Sequence, residues 1–397
     1  MPDVIYLDNN ATTRVADEVC QAMAPFLGPR YGNPSSVHTF GGEVAHDVDT
    51  ARRQVAQLLG CHPAEIIFTS CGTESDNTAI RSAIELSPDR RDIVTTRVEH
   101  PAVRNLCRKL ARGAPGEGGC DLTEVPVDSQ GMLDIADIGN ALSDSTAVAS
   151  VMWANNETGV IFPVEKIGAM CRDRGVLFHT DAVQAVGKIP MNLAELPIDM
   201  LSLSGHKLHA PKGIGALYVR RGVRFSPFLV GGHQEGSRRG GTEPVPLIVA
   251  LGKAAELAHE RLEAETTRVR ALRDRLEAGL LERCPDARLN GRSDCRLPNT
   301  TNISFEYVEG EAILLMLDQH GICASSGSAC TTGSLEPSHV LRAMGVPYTA
   351  AHGSIRFSLS VYTTDEEVDK VLEVLPPIIR RLRELSPFGR DKLASWG

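Results

Sequence analysis

No C-x-x-C pair occurs among the ten cysteines, which stand at positions 20, 61, 71, 107, 120, 171, 284, 295, 323 and 330. That spacing excludes a zinc ribbon and a thioredoxin-type redox motif. Positive charge is not in excess either. Lys and Arg number 41 against 50 Asp and Glu, a formal −9, so no basic field is offered to nucleic acid. No apolar run approaches the roughly 18 residues that a membrane span needs, and no membrane association is expected. The first residues, Met1-Pro2-Asp3, carry an acid where a secretory leader has a basic segment and then a long apolar one. A cytoplasmic location follows as the expectation, with reduced thiols in place of a disulfide framework. A Walker A sequence, internal repeats and low-complexity stretches are all missing. Aromatics make up only 5% of the chain, yet 42% of its 397 residues are hydrophobic. Such a chain buries a large core without staples and has room for two or three domains.

What is present first is an alternation. Short β-branched runs at 65–69, 93–96, 148–152, 176–180, 200–203 and 216–219 read as strands. Helical spacing fills 74–86, 102–112 and 164–174 between them. Alternating strands and helices predict a mainly parallel sheet covered on both faces. From 247 to 283 the sequence is polar, rich in Arg and Glu, and predicts one or two long helices. Pro285, Gly291 and Pro298 then suggest a boundary. A compact α+β unit is expected beyond it: strands near 302–305, 322 and 354–358, helices over 311–320, from about 337 and over 365–385, and a Gly/Ser-rich loop at 325–333.

Four stretches carry chemistry. Ser202-Leu203-Ser204-Gly205-His206-Lys207 follows a strand. A lysine held in a partly desolvated pocket loses basicity, becomes nucleophilic and can form a Schiff base; a solvated loop lysine is the plain alternative. His179-Thr180-Asp181-Ala182-Val183-Gln184 ends an apolar strand in an acid, at the edge where α/β sheets place ligands. Asp181 can pair with a pyridine nitrogen, or merely cap a helix. Thr69-Ser70-Cys71-Gly72-Thr73-Glu74-Ser75 joins strand to helix; free amides and hydroxyls there suit a phosphate, or form an ordinary cap. In Ser325-Ser326-Gly327-Ser328-Ala329-Cys330-Thr331-Thr332-Gly333 small neighbours leave Cys330 accessible, as a reactive thiol needs; an incidental cysteine in a linker is the alternative. His206-x-x-His209 lacks a third ligand, so no metal site is expected.

Taken in order, these stretches resemble the cysteine desulfurases, fold-type I pyridoxal phosphate enzymes of the class V aminotransferase family. The resemblance also covers 6–13, 31–36, 99–101, Trp153-Ala154-Asn155-Asn156-Glu157-Thr158-Gly159, 204–213 and 325–339. Residues 151–156 and 178–187 are most similar to the nitrogen-fixation branch. The housekeeping iron–sulfur branch, selenocysteine lyases, aminotransferases and a non-enzymatic sulfur-transfer scaffold are the alternatives.

The resemblance implies a seven-stranded large domain at 14–258. It implies a smaller α+β domain from 1–13 plus 259–397, carrying the Cys330 loop. It implies that Lys207 binds pyridoxal 5'-phosphate covalently and moves the Cα proton. Asp181 meets the ring nitrogen, Gln184 the phenolic oxygen, and His100 stacks on the ring and assists proton transfer. Gly72, Thr73, Ser204 and His206 hold the phosphate, with Thr242 reaching a neighbouring subunit's cofactor in a homodimer. Asn156 and Arg356 hold the carboxylate of L-cysteine. Cys330 takes the sulfur as a persulfide and passes it to an iron–sulfur scaffold protein, where the persulfide transiently ligates a cluster. The other nine cysteines are expected to pack or sit idle.

Overall fold

The computed structural model describes residues 4–113, 119–326 and 337–386. Its centre is a seven-stranded sheet. From one edge the strands run Ile66–Thr69, Gly215–Val219, Met200–Ser204, Leu177–Asp181, Thr146–Ser150, Asp92–Thr96 and Leu122–Val125. Gly215–Val219 is antiparallel to both neighbours and every other adjacent pair is parallel. Ile66–Thr69 therefore points the same way as the parallel strands, and the chain leaves all of these strands at one edge. Four of the seven are buried at every residue, as a sheet covered on both faces requires.

The expected strands are all present within two residues of their predicted bounds. Leu122–Val125 was not foreseen. It is a half-buried edge strand carrying Glu124, too short and too polar for a periodicity argument to find. Helices Gly72–Glu85 and Pro101–Arg112 cover one face through Ile80, Ala83, Val103, Leu106 and Cys107. On the other face lie Thr39–Leu59, Val164–Asp173 and Val245–Glu260. Thr39–Leu59 and Val245–Glu260 approach so closely that a Cβ at Gly252 would stand 2.5 Å from the Ala51 backbone.

The long polar stretch after 247 forms Val245–Glu260, then a turn at Leu262–Ala264, a π-helical turn at Glu265–Val269, and Arg270–Arg283. Here the chain passes from one core to another. A second cluster gathers Leu7, Val269, Leu276, Phe305, Ile355, Phe357 and Val371. It lies around an antiparallel sheet in the order Ser325–Ser326, Ser354–Ser358, Thr300–Phe305, Ala287–Leu289. Ile5–Tyr6 pairs in parallel with Ile322–Cys323, tying the start of the chain to this core, whereas Ala16, Val19 and Phe26 belong to the first. Helix Asp365–Leu385 closes the second core, entered through a Thr364–Glu367 capping box. No helix among the described residues is long and apolar enough to cross a membrane.

Candidate active site

Where the parallel strands end, the chain lines a cavity of about 450 Å³, a size suited to a cofactor with a small substrate. Gly72 and Thr73 follow Thr69, His100 follows Thr96, Asn156 and Glu157 follow Ser150. Asp181 and Gln184 lie at the end of Leu177–Asp181, and Ser204, His206 and Lys207 at the end of Met200–Ser204. From the second sheet come Arg356, Ser325 and Ser326, and from the amino-terminal segment Asp8, Asn10 and Ala11. Ten of the twelve residues singled out from sequence thus share one cavity. Thr242 is exposed and does not line it. Cys330 lies outside the described residues, although Ser325 and Ser326 lie on the cavity wall.

Asn10 holds the two halves of the site together. Its side chain donates to Thr300 Oγ1 at 2.9 Å and to the Asn156 carbonyl at 3.2 Å, and accepts from Asn299 at 3.1 Å. Its carbonyl accepts from Lys207 Nζ at 2.6 Å and from Gln184 Nε2 at 3.0 Å. Lys207 also donates to the Ala11 carbonyl at 2.6 Å. With Nε2 committed, Gln184 leaves Oε1 buried and unpartnered.

Arg356 is pinned by the Asn156 carbonyl at 3.0 Å and by Asp8 at 2.7 Å. Its buried Nε has no partner. His100 caps helix Pro101–Arg112, Nδ1 accepting from Ala102 N–H at 3.1 Å. A neutral imidazole accepting at Nδ1 carries its proton on Nε2. His100 therefore presents a donor to the cavity, and to take a proton at Nε2 it must first give up the cap.

Burial dominates the electrostatics. It pushes Lys207 down to about 7, reinforced by Lys188 and Arg356 and opposed by Asp8 and Asp181. The same cause takes His206 down to about 4, its Nδ1 lying 3.2 Å from Thr12 Oγ1. Asp181 is raised by burial and held back by His100, the Val183 N–H and Lys207. Beneath it lies an acidic layer that sequence reasoning missed. Asp76 is fully buried and raised by burial and by Asp181, with Oδ1 unpartnered. His179, lowered to about 3, sits 2.9 Å from both Ser150 Oγ and Ser202 Oγ. Glu99 accepts from Met152 N–H and Thr96, and burial raises it to about 8. One signal for Asp76 was available: it stands four residues after Gly72, on the same face of the helix that opens at the cavity.

The donor set fits pyridoxal phosphate. Helix Gly72–Glu85 begins at the cavity wall with no side chain capping it from Cys71, leaving amides free for an anion. A Cβ at Gly72 would stand 2.8 Å from Val183 Cγ2, so only glycine leaves the wall open there. Asp181 supplies a buried carboxylate and Gln184 Oε1 an unsatisfied acceptor.

Comparison with known proteins agrees. Residues 5–371 match the family model described as aminotransferase class-V. The chain belongs to the class-V aminotransferase family. It is 62% identical over 393 residues to cysteine desulfurase 2 of Trichormus variabilis, covering 99% of this chain and 97% of that protein. It is 58% identical over 385 residues to cysteine desulfurase NifS of Azotobacter vinelandii, covering 97% and 94%. A solved NifS-like protein superposes with a TM-score of 0.89 at 39% identity, covering 96% of this chain and 100% of the other. Within the family the chain stands in the cysteine desulfurase group, and its cofactor is pyridoxal phosphate.

Among the nine described cysteines none is in a disulfide. Burial pushes Cys61 and Cys171 up to about 12 and Cys284 up to about 11, which keeps those thiols protonated and unreactive. Cys71 alone among the nine lines the active cavity.

Proposed function

We propose that the chain removes sulfur from L-cysteine, releases L-alanine, and carries the sulfur on Cys330 as a persulfide. The observation that carries this reading is the composition of one cavity. A lysine, a buried carboxylate and a free helix amino end meet there, and the segment leading to Cys330 forms part of the wall. Bound pyridoxal phosphate supplies an electron sink beside the substrate Cα.

The chain's own residues do the rest. Gly72 and Thr73 amides, with Ser204 and His206, hold the phosphate. Asp181 keeps the ring nitrogen protonated, and Gln184 orients the ring oxygen. Arg356 and Asn156 orient the substrate carboxylate; a guanidinium offers the matching fork. Lys207, with a basicity near neutrality, moves the Cα proton. His100 stacks on the ring and donates from Nε2. Cys330 stands four residues after Ser326, a tether of at most about 14 Å. Its thiolate takes the substrate sulfur: an S–S bond forms as the C–S bond breaks, and the carbon side keeps the electron pair that a proton then fills.

The next acceptor in this reading is an iron–sulfur scaffold protein. Resemblance of 151–156 and 178–187 to the nitrogen-fixation branch favours a nitrogenase-directed role, in a cytoplasmic homodimer. Thr242, exposed and away from its own cavity, suits a contact with the neighbouring subunit's cofactor.

Cys330→Ala tests the reading. The variant is expected to take up pyridoxal phosphate with the absorbance of the parent, yet release at most a few per cent of its L-alanine. The parent's Cys330 peptide is expected to gain one sulfur by mass spectrometry. Undiminished alanine release by the variant would sink the mechanism and favour a selenocysteine lyase or aminotransferase. A chain without cofactor absorbance, indifferent to Lys207→Ala, would favour a scaffold.

A further inference from the structure

A second, smaller cavity shares Lys207 as part of its wall. It measures about 30 Å³, room for one or two water molecules. Lys188 and Glu265 line it, and the desulfuration reading uses neither. Both are buried, at 5% and 7% exposure. Lys188 Nζ and Glu265 Oε2 each lack a hydrogen-bond partner. Buried charges of this kind are costly, and an apolar pair of similar volume is often as stable or more so.

The backbone on both sides is specialised. Lys188 follows Gly187, which has φ +73° and where a Cβ would stand 2.6 Å from Leu208 Cδ2. Glu265 opens the π-helical turn Glu265–Val269, a rare feature that is frequent at functional sites.

Resting on the reading of Lys207 as the cofactor lysine, we propose that Lys188 is a positioning residue for it. Lys188 supplies a second buried ammonium, kept charged by Glu265, whose field across the shared cavity favours the neutral amine of Lys207. A desolvated lysine beside another cation is a known way to make an amine nucleophilic.

The surrounding charges are consistent with this arrangement. Burial, partly opposed by Glu265, lowers Lys188 to about 8. Burial raises Glu265 to about 7, opposed by Lys188 and Arg268. Of the charged groups facing Lys207, Lys188 lowers its basicity most, ahead of Arg356, while Asp8 and Asp181 raise it. The remaining titratable groups on the cavity wall are accounted for. His209 is pushed down to about 4 and so is neutral near pH 7, and Arg261 is committed to Glu18 and Tyr362. At an effective dielectric of about 20, like charges interact by about one pH unit at a separation of roughly 12 Å and by more when closer.

The test uses the full chain stripped of cofactor and mixed with pyridoxal phosphate. Amine and aldehyde condense with loss of one water, and absorbance follows the rate of capture from pH 5.5 to 9.5. In Lys188→Gln the midpoint of capture is expected to move about one pH unit alkaline, making capture about fivefold slower at pH 7. Lys188→Arg, which keeps the charge, is expected to retain the parent midpoint. A folded Lys188→Gln with the parent midpoint overturns the proposal. Should that variant fail to fold, Glu265→Gln decides, because Lys188 without its counter-charge turns neutral near pH 7. Its midpoint is then expected to move alkaline, and an unchanged one overturns the proposal equally. Capture that survives Lys207→Ala overturns the lysine assignment itself.

Discussion

Replacing Lys207 by methionine is expected to abolish alanine release and, in the cofactor-free chain, to raise stability. The reason is the cost of placing an ammonium in this cavity. Burial lowers Lys207 from 10.5 to about 7, so between those values the unfolded chain binds a proton that the folded chain does not. Stability then rises with pH across that window. The penalty is complete below about pH 7 and gone above about 10.5. A displacement of that size corresponds to about 5 kcal/mol. Discounted by half for solvent reaching the cavity, it is about 2 kcal/mol at pH 6 and about 1 kcal/mol at pH 9. The loss of two hydrogen bonds subtracts little, because the Asn10 carbonyl keeps Gln184 as a donor and Ala11 is exposed. Urea denaturation of parent and Lys207→Met at both pH values is the assay, read as the difference in extrapolated unfolding free energy. A variant no more stable than the parent at pH 6, or a gain equal at pH 6 and pH 9, would refute the reasoning.

Two further outcomes are expected. Gly72→Ala places a Cβ 2.8 Å from Val183 Cγ2, beside the Val183 N–H that Asp181 accepts at 2.9 Å. Overpacking of about 1–3 kcal/mol should loosen the cofactor by about 5- to 150-fold, measured as loss of absorbance on dialysis; retention equal to the parent counts against a close-fitting phosphate wall. Arg356→Lys removes the fork held by Asp8 and the Asn156 carbonyl. KM for L-cysteine should rise about 10- to 150-fold from the loss of roughly 1.5–3 kcal/mol while cofactor absorbance stays unchanged; a parent-like KM would remove Arg356 from substrate binding.

The parallel strands were legible because each is a short β-branched run with a helical period after it. Lys207, Asp181 and the Gly72–Thr73 turn were legible because each follows such a strand. Asp8, Asn10, Asp76 and Glu157 were not singled out. Their roles lie in contacts made across long stretches of the sequence. Asn10 meets Lys207 and Thr300, and Asp8 meets Arg356. No local pattern encodes those pairings, because polar side chains become costly or useful only once water has been excluded around them.

The sequence by itself determined the kinds of chemistry present: a lysine, an acid and a helix start, each at the end of a strand. Covalent order and hydrophobic periodicity suffice for that. Only the tertiary structure decided how basic the lysine is, that His100 Nδ1 is taken by the Ala102 N–H, and that Lys188 and Glu265 face the cavity behind it. Those properties are set by burial and by distance through a low-dielectric interior, and neither quantity exists until the two cores have closed on one another.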